Sequence, residues 1–324
     1  MSPLVEARGL TMEFGGPSLF APRRRPVRAV AGVDLTIARG EALGLVGESG
    51  SGKSTIGRLL LRLLRPSGGE VRFDGQDITA LDHGGLRPLR RRMQMVFQDP
   101  LGSLNPRMTV GAAVADGMRL HGLATREEAK GRVAALLTRV GLPPEMAART
   151  PRALSGGQRQ RVAIARALAV EPEFLVADEP VSALDVSVGA AILALLRELR
   201  AERGLALLFV SHDLGAVRAL CDRVAVLYLG RVMEEAPAEA LFRDPRHPYT
   251  RALLSASPGR PGRTRGARIV LSGEIPSPAN PPSGCVFRTR CPHALPACAG
   301  EVPLLRDLGS ARRVACLRND LVLS

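Results

Sequence analysis

Residues 42–55 read Ala-Leu-Gly-Leu-Val-Gly47-Glu48-Ser49-Gly50-Ser51-Gly52-Lys53-Ser54-Thr55, and this stretch decides the fold. Its first half is a short apolar run suited to a strand buried on both faces of a parallel sheet. Its second half satisfies G-x-x-x-x-G-K-[ST], the phosphate loop, in the context that gives the motif meaning, after a strand and before a helix. The glycines let successive backbone N–H groups close around the phosphates of a nucleotide, helped by the positive end of the helix. Lys53 would reach the β- and γ-phosphates, and the Ser54 hydroxyl is placed to coordinate Mg²⁺. The helix is legible in Ile56, Leu59, Leu60, Leu63 and Leu64, which recur at helical spacing before Pro66-Ser-Gly-Gly69 stops the pattern.

Further along, Phe174-Leu-Val-Ala-Asp178-Glu179 is an apolar run that delivers two carboxylates at its C-terminal end, the edge at which α/β sheets bind ligands. Asp178 would hold Mg²⁺, directly or through water, and Glu179 would polarise an attacking water as a positioned general base. Alone, such a pair reads as a helix-entry cap; behind a phosphate loop at this distance it reads as catalytic. Apolar runs at 206–210 and 224–229 alternate with helical stretches at 187–202 and 214–221, the pattern of an α/β fold with a central parallel sheet. Residues 4–47 read as short strands with turns, as in Val33-Asp-Leu-Thr-Ile37, with Arg23-Arg24-Arg25 in an exposed loop. Residues 99–170 read as helical. There Thr125-Arg-Glu-Glu128 has capping-box spacing, and Ala129, Val133, Leu136, Leu137 and Val140 form an apolar stripe assigned to the core. Residues 257–266 are a Pro/Gly-rich linker, followed by a Pro-rich, Cys-bearing tail.

Composition narrows the field. A chain of 324 residues, 45 % apolar and 23 % charged, is globular, and at about 150 residues per domain it holds two structural units. Aromatic residues are 3 %, with no Trp, which argues against a platform that stacks nucleic-acid bases. The net charge of +14 fits anionic partners, but all but two of the 45 basic residues are Arg, a bias that points to an Arg-rich solvated surface. A lysine kept in such a chain, as Lys53 is, sits where an arginine fork cannot replace a compact ammonium. No run of 18 apolar residues and no signal-peptide pattern is present, so the expectation is a soluble protein or one docked on a membrane through a partner. Five cysteines in a reducing compartment argue against a disulfide framework, and Cys221, in an apolar helical stretch, reads as an inert core thiol.

Leu154-Ser155-Gly156-Gly157-Gln158-Arg-Gln-Arg161 is an element that a general phosphate-loop protein does not require. Ser155 and Gln158 have capping-box spacing, so this tract opens a helix whose free N–H groups make a second anion site. The tract resembles the signature of ATP-binding cassette (ABC) ATPases. With it, Gln98 matches the glutamine loop, Ser182-Ala-Leu-Asp185 the D-loop, and His212 in Val210-Ser-His-Asp213 the switch histidine. The resemblance covers nearly the whole chain. It implies an α/β P-loop ATPase with an antiparallel β-subdomain and a helical signature subdomain at about 99–170 within an ATPase domain spanning 1–255, then a small C-terminal extension at 256–324. It also implies a head-to-tail dimer, each ATP lying between the phosphate loop of one cassette and the signature of the other, with Gln98 near Mg²⁺ and His212 at the γ-phosphate. Phe14, with Phe20 as its rival, stands where the family places a ring against adenine.

Closer resemblance is to the ATP-binding subunits of dipeptide and oligopeptide importers, nearest the second ATPase subunit of the dipeptide type. It rests on Gln98-Asp-Pro-Leu-Gly-Ser-Leu-Asn-Pro106, Pro180-Val-Ser-Ala-Leu-Asp185-Val-Ser-Val188 and Arg246-His-Pro-Tyr-Thr-Arg-Ala-Leu-Leu254. That branch implies a second, different ATPase subunit, two transmembrane permeases, an extracytoplasmic peptide-binding protein and a peripheral place on the cytoplasmic face of the membrane, with no nucleic acid. The alternatives are a soluble ABC ATPase acting on nucleic acid or ribosomes, and an importer subunit for nickel or another small solute. Cys285, Cys291, Cys298 and Cys316 lack a C-x2-C pair and fit no common zinc spacing. Four thiolates hold zinc or an iron–sulfur cluster, or stay as free thiols; the importer branch's tail implies a [4Fe-4S] cluster.

Overall fold

The computed structural model describes residues 2–16, 25–256 and 269–318; Phe20, Arg23, Arg24 and the linker at 257–266 lie outside the described residues. Along the chain run β1 (Val5–Phe14), β2 (Val27–Ile37), β3 (Ala42–Val46), β4 (Gly68–Phe73), β5 (Gln76–Asp77), β6 (Met93–Val96), β7 (Phe174–Asp178), β8 (Ala206–Val210), β9 (Arg223–Tyr228), β10 (Arg231–Pro237), β11 (Arg306–Asp307) and β12 (Arg313–Val314). The chain divides into two compact units. The first holds Met1–Leu4, Ile37–Glu41 and Ala80–Ser211; the second holds Val5–Thr36, Ala42–Thr79 and His212–Ser324.

In the second unit, β2-β1-β4-β5 form a four-stranded sheet. β1 lies antiparallel to β4, with Val5 opposite Phe73 and Ala7 opposite Val71, and all four side chains are buried. The expected β-rich entry is therefore an antiparallel sheet, but it takes two strands from beyond the phosphate loop. In the same unit β3 pairs in parallel with β9, Leu45 opposite Ala225. β9 turns back antiparallel into β10 at Leu229 and Gly230, both with positive φ. The edge of β10 then accepts β12, with Glu234 opposite Val314, so the C-terminal tail is tied into a sheet. A Cβ on Gly44 would stand 2.8 Å from Val217 and 3.1 Å from the sulfur of Cys221. The missing side chain lets the helix Leu214–Leu220 and Cys221 pack on β3, with Cys221 buried as a core thiol.

The helix after the phosphate loop spans Lys53–Leu60 and stops short of the expected Leu64. The chain turns at Arg62 (φ 51), whose buried guanidinium donates to the carbonyls of Ile78 (2.9 Å) and Leu64 (3.1 Å). Apolar spacing marks which residues face the core; it does not register a side chain that captures the carbonyls of a different path.

In the first unit, β8, β7 and β6 are parallel neighbours, with Phe174 opposite both Met93 and Ala206. Every residue of β7 and β8 is buried, which explains their unbroken apolar runs. The expected helical region contains helices Val110–Leu120, Arg126–Arg139 and Gly156–Leu168. The capping box at Thr125 is made: its hydroxyl accepts from the Glu128 N–H, and its own N–H donates to the Glu128 carboxylate at 2.8 Å. From the stripe, Ala129, Val133, Leu137 and Val140 are buried while Leu136 is half-buried. Thr125→Ala should lower the unfolding free energy by about 1 kcal/mol, read as a shifted urea midpoint with an unchanged slope. Among the described residues, no helix is long and apolar enough to cross a membrane.

Candidate functional site

The second unit carries the phosphate loop. β3, buried throughout, ends at Gly47, which adopts φ 152; a Cβ there would lie 2.1 Å from the Leu227 carbonyl oxygen. Gly52, at φ 102, caps the helix Lys53–Leu60 and would place a Cβ 2.3 Å from the Ala29 carbonyl oxygen. Neighbouring backbone thus presses on the loop so closely that only glycine fits at these two positions. Gly50, at φ 75, has nothing within 4 Å and faces open space, as the tip of an anion cradle must.

Lys53 is 8 % exposed, and its ammonium donates to the carbonyls of Gly47 and Glu48, both at 2.8 Å, and to the Ser51 hydroxyl at 3.4 Å. Three converging acceptors suit a compact three-donor ammonium, the geometric reason a lysine stands here in an arginine-rich chain. Ser54 and Thr55 are half-buried on the first turn of the helix, Ser49 is exposed at the loop tip, and Phe14 is 40 % exposed at the end of β1. His212 is exposed one residue after Ser211, and the following Asp213 caps the helix Leu214–Leu220 by accepting from the N–H groups of Gly215 and Ala216.

The first unit carries the other motifs. Asp178, at the end of β7, is 1 % exposed. Glu179 follows with φ 50, a left-handed conformation rare for a side-chain-bearing residue. Its N–H donates to Val210 and its carbonyl accepts from the Ser182 hydroxyl, so both ends of the residue are tied down. Strain of this kind persists only where surrounding structure over-determines it. Gln98 is exposed just beyond β6. Ser155 makes the expected capping box with Gln158, which opens the helix Gly156–Leu168. A Cβ on Gly157 would meet the Ala183 carbonyl and the Leu184 side chain at 3.2 Å, so the signature packs against the D-loop of its own chain. Asp185 caps the helix Val186–Arg203; hydrogen bonds from the Val188 N–H and the Ser187 hydroxyl hold its pKa below the usual carboxylate value.

Residues 30–182 match the ABC transporter family, and residues 233–298 match the oligopeptide/dipeptide transporter C-terminal region family. A Brucella ovis protein assigned by name to peptide import as an ATP-binding protein is 52 % identical over 320 residues, 99 % of each chain. Oligopeptide transport ATP-binding protein AppF of Bacillus subtilis is 50 % identical over 301 residues, 92 % of each. The chain belongs to the ATP-binding proteins of ABC transporters. Among solved structures, the ATP-binding cassette MJ0796, a dimer in a post-hydrolysis state with ADP and Pi, superimposes with a TM-score of 0.67 at 34 % identity, covering 72 % of this chain and 98 % of its own. ABC ATP-binding proteins bind ATP with Mg²⁺, hydrolyse it, and work with a partner ATPase and with permease subunits.

In this ABC ATPase, sequence reasoning missed the residues that buttress the phosphate loop from the second unit's C-terminal segments. The Glu48 N–H donates to the Tyr249 hydroxyl at 2.9 Å, and the Glu48 carboxylate receives both arms of Arg290, at 2.6 and 3.1 Å. Tyr249 belongs to the motif that marked the importer branch, yet nothing in its spacing shows what it touches. Arg290 is one arginine among many. His247, in the same motif, is fully buried, and its Nδ1 accepts from the Tyr249 N–H at 3.0 Å while its other nitrogen donates to the Ala315 carbonyl. Burial pushes its pKa down to about 3.

His247 is thus neutral when folded and titrates near 6.5 when unfolded. The unfolded chain binds the extra proton between those values, so this contribution to stability is complete above about pH 6.5 and falls by about 1.4 kcal/mol per pH unit as pH drops toward 3. Glu234 opposes it. Its carboxyl is buried and its pKa raised, so proton uptake there favours the folded state as pH falls through that raised value. Urea titrations at pH 7.5, 6.0 and 5.0 should show the acid loss, and His247→Asn, which keeps an acceptor without a titrating ring, should flatten it.

The four tail cysteines are free; Cys285 and Cys298 are buried and joined by a 2.8 Å bond from the Cys285 N–H to the Cys298 carbonyl. Burial raises the pKa of Cys285, Cys316 and Cys291, the last to about 11, and the nearby thiols add to the rise. Among the described residues, no group of three or more His, Cys, Asp or Glu side chains is gathered closely enough to hold a single metal ion.

Proposed function

We propose that this chain is the ATP-hydrolysing subunit of an importer for dipeptides or oligopeptides, peripheral on the cytoplasmic face of the membrane. The observation that carries the reading is the match of residues 233–298 to the oligopeptide/dipeptide transporter C-terminal region, joined to an ATPase cassette in one chain. The full-length similarity to relatives named for peptide transport supports it. In this reading residues 1–255 form the nucleotide-binding domain and 256–324 the extension, the partner ATPase is a different chain, two permeases dock on the pair, and the region after Gln98 receives the permease's coupling helices.

The chemistry follows from residues whose local geometry suits it. Lys53 and the N–H groups of the phosphate loop bind the β- and γ-phosphates, and Phe14 lies against adenine. Ser54, Gln98 and Asp178 hold Mg²⁺, directly or through water; their oxygen donors suit a hard cation, which when bound neutralises phosphoryl charge. Glu179 orients and polarises the attacking water, and His212 contacts the γ-phosphate. The Ser155–Gln158 signature completes the site of the partner cassette, with Asp185 at the junction.

For the tail, the resemblance to the importer branch supports a [4Fe-4S] cluster on Cys285, Cys291, Cys298 and Cys316, with zinc or free thiols as the alternatives. No part of ATP hydrolysis passes through it. Iron, sulfide and visible absorption in anaerobically purified protein are the expected result, and their absence overturns the assignment.

Affinity capture of tagged Glu179→Gln protein from gently solubilised membranes with ATP tests the importer reading. Recovery of a second cassette ATPase and two multi-span permeases supports it. Recovery of ribosomes or nucleic-acid-binding proteins without a permease overturns it.

A further inference from the structure

Glu48 is an awkward residue for the place it occupies, a carboxylate inside a loop built to hold polyphosphate. Within the second unit three side chains converge on it. Its N–H is held by the Tyr249 hydroxyl, its carbonyl accepts from the Lys53 ammonium at 2.8 Å, and its carboxylate is clasped at both oxygens by Arg290. The Glu48 peptide therefore links the phosphate-binding lysine to the C-terminal extension.

Arg290 is itself a built element. It is 8 % exposed, its guanidinium lies 5.9 Å from the centre of the Tyr228 ring, and it reaches the Tyr228 hydroxyl at 3.4 Å. Three residues earlier, Phe287 is fully buried and packs its ring 5.3 Å from both Tyr228 and Tyr249, and 5.7 Å from His247. These rings anchor the segment carrying Arg290 to the strand and helix beside the loop. A planar bidentate pair held from behind by aromatic rings is directional in a way a surface ion pair is not.

We propose that Arg290 is a positioning residue for nucleotide binding: the C-terminal extension completes the phosphate loop by neutralising and orienting Glu48. Two effects combine. The guanidinium cancels a negative charge that would otherwise stand beside the phosphates of ATP, and the clasp fixes the peptide whose carbonyl positions Lys53. Neither requires Arg290 to touch the nucleotide. The inference rests on the ATP-site reading above and extends it to a residue outside the cassette motifs.

The test is calorimetric titration of the purified full chain with MgATP, without permeases, alongside thermal unfolding. Arg290→Met should weaken MgATP binding by about tenfold, because Glu48 then stands uncompensated. Glu48→Gln added to Arg290→Met should recover affinity to within about threefold of the parent, because the repelling charge is gone. A purely structural Arg290 predicts no such recovery, since the second change restores no packing. If Arg290→Met fails to fold, Arg290→Lys keeps the charge but loses the second arm, and a loss of about threefold is expected. Unchanged affinity in either folded variant, or no recovery in the double variant, overturns the positioning role alone. A parent chain that binds no MgATP overturns both this role and the ATP-site reading.

Discussion

Glu179→Gln should lower ATP turnover by roughly 10²–10⁴, the range for removing a positioned general base, while leaving MgATP binding within a few-fold of the parent. Glu179 is half-buried, and its backbone is held at φ 50 by the bond to Val210 and the Ser182 hydroxyl, neither of which uses the carboxylate. Glutamine keeps the side chain's length and loses only its ability to accept a proton. The substitution changes no residue of the phosphate loop. Steady-state phosphate release and equilibrium nucleotide binding, measured on the same preparation, check the two halves separately. Turnover within tenfold of the parent would move the base to another group. Loss of binding in parallel with turnover would mean that the substitution disturbed the local structure.

Gly47→Ala should be the most damaging single methyl in the phosphate loop. The new Cβ would be placed 2.1 Å from the Leu227 carbonyl, which is backbone of β9 and has little freedom to retreat, and φ 152 is a conformation alanine adopts poorly. Overpacking and backbone strain together should cost roughly 3 kcal/mol of stability. Because a misplacement of about 1 Å costs catalysis about a hundredfold, ATP turnover should fall by about that much, and MgATP affinity should fall with it. Gly50→Ala is the internal comparison. It meets nothing within 4 Å, so only the strain of φ 75 applies, and about 1 kcal/mol is expected. Chemical unfolding and nucleotide titration of the pair check the contrast; equal effects would show that loop geometry, and not the contact with β9, governs the site.

Much of the site was legible because its chemistry needs residue types at fixed spacings along one segment. The nine residues from Gly47 to Thr55, the paired carboxylates at 178–179 and the capping box at Ser155–Gln158 are each local, and local geometry follows from a few consecutive φ/ψ choices. The same holds for the buried strands β3, β7 and β8, whose apolar runs report burial on two faces. The helix expected to reach Leu64 is the instructive miss: the turn at Arg62 depends on the Ile78 carbonyl, sixteen residues away.

What the sequence alone determined is therefore the ATPase cassette and its likeness to peptide importers, because the motifs that carry them are short-range patterns. What only the tertiary structure decided is how the extension is used. Arg290 and Glu48 are 242 residues apart, and Tyr249 and Glu48 are 201 apart. Pairing of β12 on β10 and burial of Phe287 among Tyr228, Tyr249 and His247 bring those ends together. Such contacts leave no spacing for a reader of the chain, because they are set by sheet order and shape complementarity, and any of the chain's arginines would look the same until the fold chose one.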